Sequence, residues 1–349
     1  MNGPSVALAF PNMNNGPVLD HFFEKLKANT TYSNIEIVVV DDGSTDESLS
    51  ILRRWRESGA FSSFKLVEQE NRGVCHAFNR VLSMVESDLV VRLDGDATVE
   101  TPGWLERMLA FYLSDEQIGI AVAQIVFPWG TVHSLGRNIV CPEGLHDRGA
   151  TPTEPSGRRT LDSNVLRYPP EEVPVGLEIA EVDSALGCCT MFSKALADEI
   201  GGLDPAYSPV WIEDDDFGFS ARAIGKKVFC FPDVKVIHHV NARNPRDKRA
   251  VARRASSMEH RIGRMLPRRL KDVVKPRVGI RSSDTPWRIQ LLRKHYTTWK
   301  EKWGFDPLNP DLAAVSARYS GSEICWASDP DRRRAGEAII ANYRATALA

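Results

Sequence analysis

Asp94-Gly95-Asp96 ends an apolar run, Leu89 to Leu93, that is interrupted only by Arg92. Two carboxylates this close repel and raise each other's pKa unless a cation lies between them. Hard divalent ions, Mg2+ or Mn2+, take oxygen ligands and often bridge to substrate phosphates. The glycine permits a tight turn and close approach of a ligand. An isolated Asp-x-Asp reads equally well as a solvated loop, but four further clusters accompany this one. Asp41-Asp42 closes "IEIVVVDD". Asn71-Arg72-Gly73 precedes a helical pattern, where an arginine could face an anion. Glu213-Asp214-Asp215-Asp216 lies between Trp211 and Phe217. His238-His239 ends "VKVIHH", and a neutral imidazole is a common ligand for ions of the Mn2+ type. Each has an ordinary reading as a solvated polar group. Together, at the exits of apolar segments, they point to one site.

The elements that must position them alternate. "SVALAF" at 5–10 reads as a short strand ended by Pro11, 17–29 as an amphipathic helix and 35–44 as a β-branched strand. Ser44 or Thr45 could cap the next helix, with acids in its first turn and Gly59 at its end. Strands at 64–69, 88–96 and 118–127 then alternate with helices at 73–85 and 101–113. Such alternation predicts an α/β fold with a mostly parallel sheet. Ligands of such sheets bind beyond the carboxyl ends of the strands, so the acidic clusters at 41–42 and 94–96 should share an edge. Residues 128–180 show little periodicity. "DSALGCCTMFSKALADEIGG" reads as strand, helix and glycine stop, and 227–232 and 234–238 as two more strands. The tail is basic and helical in pieces, broken at Pro267, Pro276 and Pro286.

The chain has 349 residues, 42% of them apolar and 26% charged, as in an ordinary soluble protein. Its length fits one large domain with an appendage, or two domains. No apolar run is long enough for a transmembrane helix, and the first residues lack the pattern of a signal peptide. Six cysteines without C-x-x-C spacing predict free thiols in a reducing, cytoplasmic setting. The net charge of −2 is unevenly spread: residues 241–303 carry 19 Lys/Arg against 5 Asp/Glu, a balance of +14. That stretch should meet something anionic. It could pack on the acidic part of the chain or dock reversibly at the inner face of a membrane, where each basic residue contributes about 1 kcal/mol. No nucleic-acid module is recognisable, so no specific nucleic acid is expected as a partner.

The ordered set of motifs resembles the inverting glycosyltransferases of family 2, with the GT-A fold. "SVALAFPNMN" resembles the first strand and loop, "IEIVVVDDGSTDES" the nucleotide-binding strand and turn, and "NRGVCHAFN" the N-x-G-x-x-x-A-x-N helix start. "LDGDA" resembles the D-x-D motif, "IEDDDFGFSARAIGKKVF" the E-D-x-D helix, "VKVIHH" the strand ending in histidine, and "YTTWKEKWGFDP" the closing K-W-G segment. The resemblance implies a catalytic domain at 1–240, with a nucleotide-binding half at about 1–127 and an acceptor-side half at about 128–240. A basic, mostly helical extension would follow at 241–349. It also implies roles. Asp41 or Asp42 would bind the nucleotide base, with Pro11, Arg72 and Gly95 beside the nucleotide. Asp94 would lie near ribose or metal, Asp96 and His238 would ligate Mn2+ or Mg2+, and His239 is the less favoured neighbour. Asp214 would be the general base, while Trp211, Glu213 and Asp216 would shape the acceptor site.

The reaction implied is single displacement from a nucleoside-diphosphate sugar, UDP-sugar favoured, onto a hydroxyl of a carbohydrate, glycolipid or protein acceptor. The alternatives are a non-catalytic nucleotide-sugar-binding protein or a nucleotidyltransferase on a similar sheet. "FPNMNNGP" lacks the glycine- and lysine-rich phosphate loop a nucleotidyltransferase would want. The same loop departs from the family where a hydroxyl residue is common, and Ser193-Lys194 stands where an arginine is common.

Overall fold

Val6, Leu8 and Phe10 of the first strand enter one apolar cluster, and Ala7 and Ala9 enter another. A strand apolar on both faces must be covered on both faces, and the rest of the chain supplies the cover. In the computed structural model the described residues are 3–128, 132–139, 161–163, 178–184, 186–239, 286–305 and 330–347.

The elements run β1 (Val6–Asn12), α1 (Gly16–Asn29), β2 (Ile35–Asp42), α2 (Ser48–Glu57), β3 (Phe64–Gln69), α3 (Val74–Met84), β4 (Leu89–Leu93), β5 (Ala97–Val99), α4 (Trp104–Tyr112) and β6 (Ile118–Val126). Three short strands follow, β7 (Val132–Ser134), β8 (Arg137–Ile139) and β9 (Leu161–Ser163). Then come β10 (Ala180–Val182), β11 (Cys189–Ser193), α5 (Lys194–Ile200), a 3-10 turn (Pro205–Tyr207), α6 (Glu213–Ala223) and β12 (Lys227–His238). The helices α7 (Pro286–Trp303) and α8 (Pro330–Ala347) complete the described chain.

One sheet has the order β10-β12-β6-β11-β4-β1-β2-β3, with β5 on β12 and β7 on β6; β8 and β9 pair separately. The β1–β2, β2–β3, β1–β4 and β6–β12 ladders are parallel, and β11 inserts antiparallel between β4 and β6. Helices α1, α2 and α4 cover one face with Phe22, Phe23, Leu52, Trp104 and Met108. Helices α3 and α6 cover the other with Phe78, Phe217 and Phe219, and α7 adds Trp299 and Trp303. This is the α/β, mostly parallel architecture expected from the alternation, with helical C-terminal elements. Among the described residues no helix is long and apolar enough to cross a membrane.

Three local expectations are corrected. Pro11 does not end β1, which continues to Asn12 beside β2. Neither Ser44 nor Thr45 caps α2. That helix starts at Ser48 without an acid in its first turn, because the Ser44 hydroxyl is drawn to Asp41. The segments 227–232 and 234–238 form one strand, with a register shift against β6 between Phe231 and Lys235 that accommodates Pro232. Pro286 opens α7, whereas Pro267 and Pro276, the basic stretch 241–285 and most of 128–180 lie outside the described residues.

Candidate functional site

Because β2 and β4 flank β1 in parallel, their carboxyl ends open on the same edge, and Asp41-Asp42 and Asp94-Gly95-Asp96 lie there. His238 arrives from the end of β12, paired with Ala97 of β5. Its Nε2 lies 3.3 Å from an Asp96 oxygen and 3.9 Å from an Asp94 oxygen. The backbone N–H of His239 donates to the Asp96 carbonyl at 2.8 Å, and the His239 ring contacts Thr98. His239 therefore braces the turn while His238 faces into it.

The electrostatics follow from this convergence. Burial pushes the Asp94 carboxyl above the ordinary carboxylate range; Arg92 and His238 oppose the shift, and Asp96 and Asp214 add to it. Burial alone would lower the His238 pKa, but Asp96 and Asp94 outweigh it and raise it. The field between these groups is negative enough to favour a proton on the imidazole. Two carboxylates within 4 Å of one imidazole nitrogen also make a donor set of the kind taken by a divalent ion such as Mn2+ or Mg2+.

Arg92 links this cluster to α6. It is 5% exposed, lies over the Phe78 ring at 5.0 Å, and donates from Nη1 to Asp214 at 2.5 Å. The other Asp214 oxygen accepts the Gly187 N–H at 3.0 Å. A Cβ on Gly187 would run into both the Arg92 guanidinium and the Asp214 carboxylate. Glu213 lies 3.7 Å from Arg92 Nη2, and burial, then repulsion from Asp214, pushes its carboxyl up to about 8. Glu213 is thus driven toward its neutral form. Trp211 and Ile212 deliver these acids with φ of +77° and +72°, a left-handed geometry costly for bulky residues.

Asp41 and Asp42 are buried and hold loops. Asp41 accepts from the Ser44 N–H and hydroxyl and from Asn12 Nδ2. Asp42 accepts from the Arg72 and Gly73 N–H groups and from Gln69. Asn12 and Asn15 pack beneath Gly95, 3.0 and 2.9 Å from where a Cβ would stand. Pro11 is half-buried at the end of β1, and the Arg72 side chain is exposed. Trp211 is half-buried and packs on Trp287 of α7, which is 55% exposed.

Two residues expected to shape the acceptor site are buried. Glu213 is buried against Arg92. Asp216 is 2% exposed and is claimed by α7: Lys302 Nζ donates to it at 2.7 Å and Trp303 Nε1 at 2.8 Å. Trp299 and Trp303, left open between interface and core, belong to the core.

Sequence reasoning missed the roles of Arg92, Gly187 and Cys188. Arg92 carried a signal, since an arginine inside a strand buried on both faces must find anions. Gly187 and Cys188 carried none, because their neighbours come from distant elements. The Cys188 Sγ lies 3.4 Å from His238 Nδ1.

Comparison with known proteins adds four likenesses. The profile described as Glycosyl transferase family 2 matches residues 8–171. The O-antigen biosynthesis protein RfbC of Myxococcus xanthus is 22% identical over 246 residues, covering 68% of this chain and 18% of that protein. Glycosyltransferase GlyA of Streptococcus pneumoniae is 41% identical over 91 residues, covering 26% of this chain and 13% of that protein. The chain thus spans a minor part of the length of these relatives. The crystal structure of GalNAc-T7 with UDP, GalNAc and Mn2+ superposes with a TM-score of 0.50 at 17% identity, covering 68% of this chain and 44% of that one. This last likeness shows the fold.

Proposed function

We propose that the chain, whose residues 8–171 match the profile of glycosyl transferase family 2, performs an inverting transfer of sugar from a nucleoside-diphosphate sugar to an acceptor hydroxyl. UDP-sugar is the favoured donor, a choice supported by the likeness to GalNAc-T7, whose crystal structure holds UDP and Mn2+. The observation that carries the reading is the convergence of Asp94, Asp96 and His238 at one strand edge, with Asp214 joined to the same cluster through Arg92.

Asp94, Asp96 and His238 would hold Mn2+ or Mg2+, which when bound supplies Lewis-acid stabilisation of charge on the leaving diphosphate. Asp214 takes the proton of the attacking hydroxyl. A positioned base of this kind contributes about 10²–10⁴ in rate. Arg92 and the Gly187 N–H hold that carboxylate in one orientation. The loops tied by Asp41 and Asp42 shape the edge that receives the nucleotide, beside Pro11, Gly95 and the exposed Arg72. Trp211 is assigned to the acceptor side. The proposed organisation keeps a catalytic unit at 1–240 with a C-terminal extension at 241–349. Titrating UDP with and without Mn2+ tests the reading: metal-dependent affinity is expected, and affinity indifferent to metal would overturn it.

A further inference from the structure

The donor set at this edge is not purely hard. One atom from each of Asp94, Cys188 and His238 lies within 4.8 Å of the others. Oxygen and imidazole donors suit Mn2+ or Mg2+, whereas a thiolate added to them suits zinc.

We propose that Asp94, Cys188 and His238 form a second, thiophilic metal site that takes Zn2+ and shares two ligands with the site for the hard ion. The spacing fits. With Zn–S near 2.3 Å and Zn–N near 2.0 Å, a tetrahedral ion needs its sulfur and nitrogen about 3.5 Å apart, and Cys188 Sγ and His238 Nδ1 are 3.4 Å apart. Three protein ligands with an open fourth position is the arrangement of zinc sites that keep a water.

The ligands are held by the sheet. The Cys188 carbonyl accepts the Asp94 N–H at 3.3 Å, and the next residues, Cys189 and Leu93, pair across the β11–β4 ladder. His238 is fixed by the β12–β5 ladder. Cys188 is buried, while Asp94 and His238 are partly open, so an ion has an approach from one side. Zinc would displace the thiol proton to solvent, as metal binding by cysteine requires.

The two sites use opposite nitrogens of one ring. His238 Nε2 faces Asp96, and Nδ1 faces Cys188. Both sites need Asp94. An ion on the sulfur side therefore draws Asp94 away from the hard-ion side, and Zn2+ antagonises the Mn2+-dependent binding of UDP. This consequence rests on the function proposed above, whereas the zinc site does not.

The test uses the full chain with metal ions alone. Co2+ in place of Zn2+ gives a near-ultraviolet thiolate-to-cobalt band when cysteine ligates. The band should appear in the native protein and in Cys189→Ser, and vanish in Cys188→Ser and Cys188→Ala. In competition with a chromophoric chelator, Cys188→Ser should weaken Zn2+ binding by at least about tenfold, the smallest loss typical even for outer-shell partners. Mn2+ affinity should be unchanged. A native protein without the band, or equal Zn2+ affinity in Cys188→Ser, overturns the proposal. Failure of native protein to bind Mn2+ counts instead against the function proposed above and leaves the cobalt result readable.

Discussion

Arg92 and Asp214 stand 122 positions apart in the chain, yet their side chains meet at 2.5 Å behind the aspartate turn. This pairing, with the Gly187 N–H on the other oxygen, holds the Asp214 carboxylate in one orientation. Asp214→Asn should lower turnover by about 10²–10⁴ with metal-dependent UDP affinity retained. Steady-state rates set beside UDP titration check this, and preserved turnover would remove Asp214 from the base role.

Gly187 leaves room for that pair. Gly187→Ala puts a methyl group into the space of the Arg92 guanidinium and the Asp214 carboxylate. Overpacking of this kind costs about 1–3 kcal/mol, and the displaced carboxylate should cut turnover further than the stability loss explains. Urea unfolding and kcat on one preparation separate the two effects. Normal kcat would show that Asp214 does not need this placement.

Glu213 predicts a pH dependence. Burial and Asp214 push its folded-state pKa up to about 8, whereas an unfolded glutamate titrates near 4.3. Between those values the folded state keeps a proton that the unfolded state has lost, so this group lowers stability as pH rises through the window. Glu213→Gln should therefore be more stable than the native protein at pH 8, with the gain shrinking toward pH 5. Melting temperatures across that range give the answer, and a pH-independent difference would contradict the shift.

Lys302 carries the opposite linkage. Burial works against its charge, but Asp216 and Asp204 outweigh burial and hold the ammonium above its ordinary pKa. Its contribution is complete below about pH 10 and fades as pH rises through the folded value. Lys302→Met should cost about 1.5–3 kcal/mol at neutral pH, toward the lower end because Lys302 is 34% exposed. Denaturant midpoints at pH 7 and pH 11 should converge between variant and native protein. A constant gap would mean that the Lys302 charge is not what stabilises.

Metal ligation is separable from these effects. Asp96→Asn and His238→Ala should each weaken Mn2+ binding beyond the 10–100-fold typical of outer-shell partners, while UDP affinity falls to its value in chelator. Calorimetric titration of Mn2+ reads this directly. Unchanged Mn2+ affinity in both variants would move the ion elsewhere.

What could be read in the residues was whatever repeats locally. The two-sided apolar strands at 35–42 and 118–126 announced a parallel sheet, and the acidic clusters at strand exits announced an edge. The Asp96–His238 meeting could be expected from motif order. The fates of Glu213 and Asp216 could not. Four consecutive acids look solvated until Arg92 and Lys302 arrive from other elements, and nothing local to residues 213–216 encodes either partner. Ser44 was similarly ambiguous: its hydroxyl could cap α2 or bind Asp41, and only the tertiary turn decides.

The Lys302–Asp216 contact closes a span of 86 residues, so α6 gains its latch only from a segment far down the chain. The β1–β4 half, with its aspartate turn, lies wholly upstream of α6 in the chain. Emergence from the ribosome would then order events: the β1–β4 half first, the latched α6 acids only after the α7 segment has been made. Hydrogen exchange on nascent chains of increasing length would see α1–α4 amides protected ahead of those in α6.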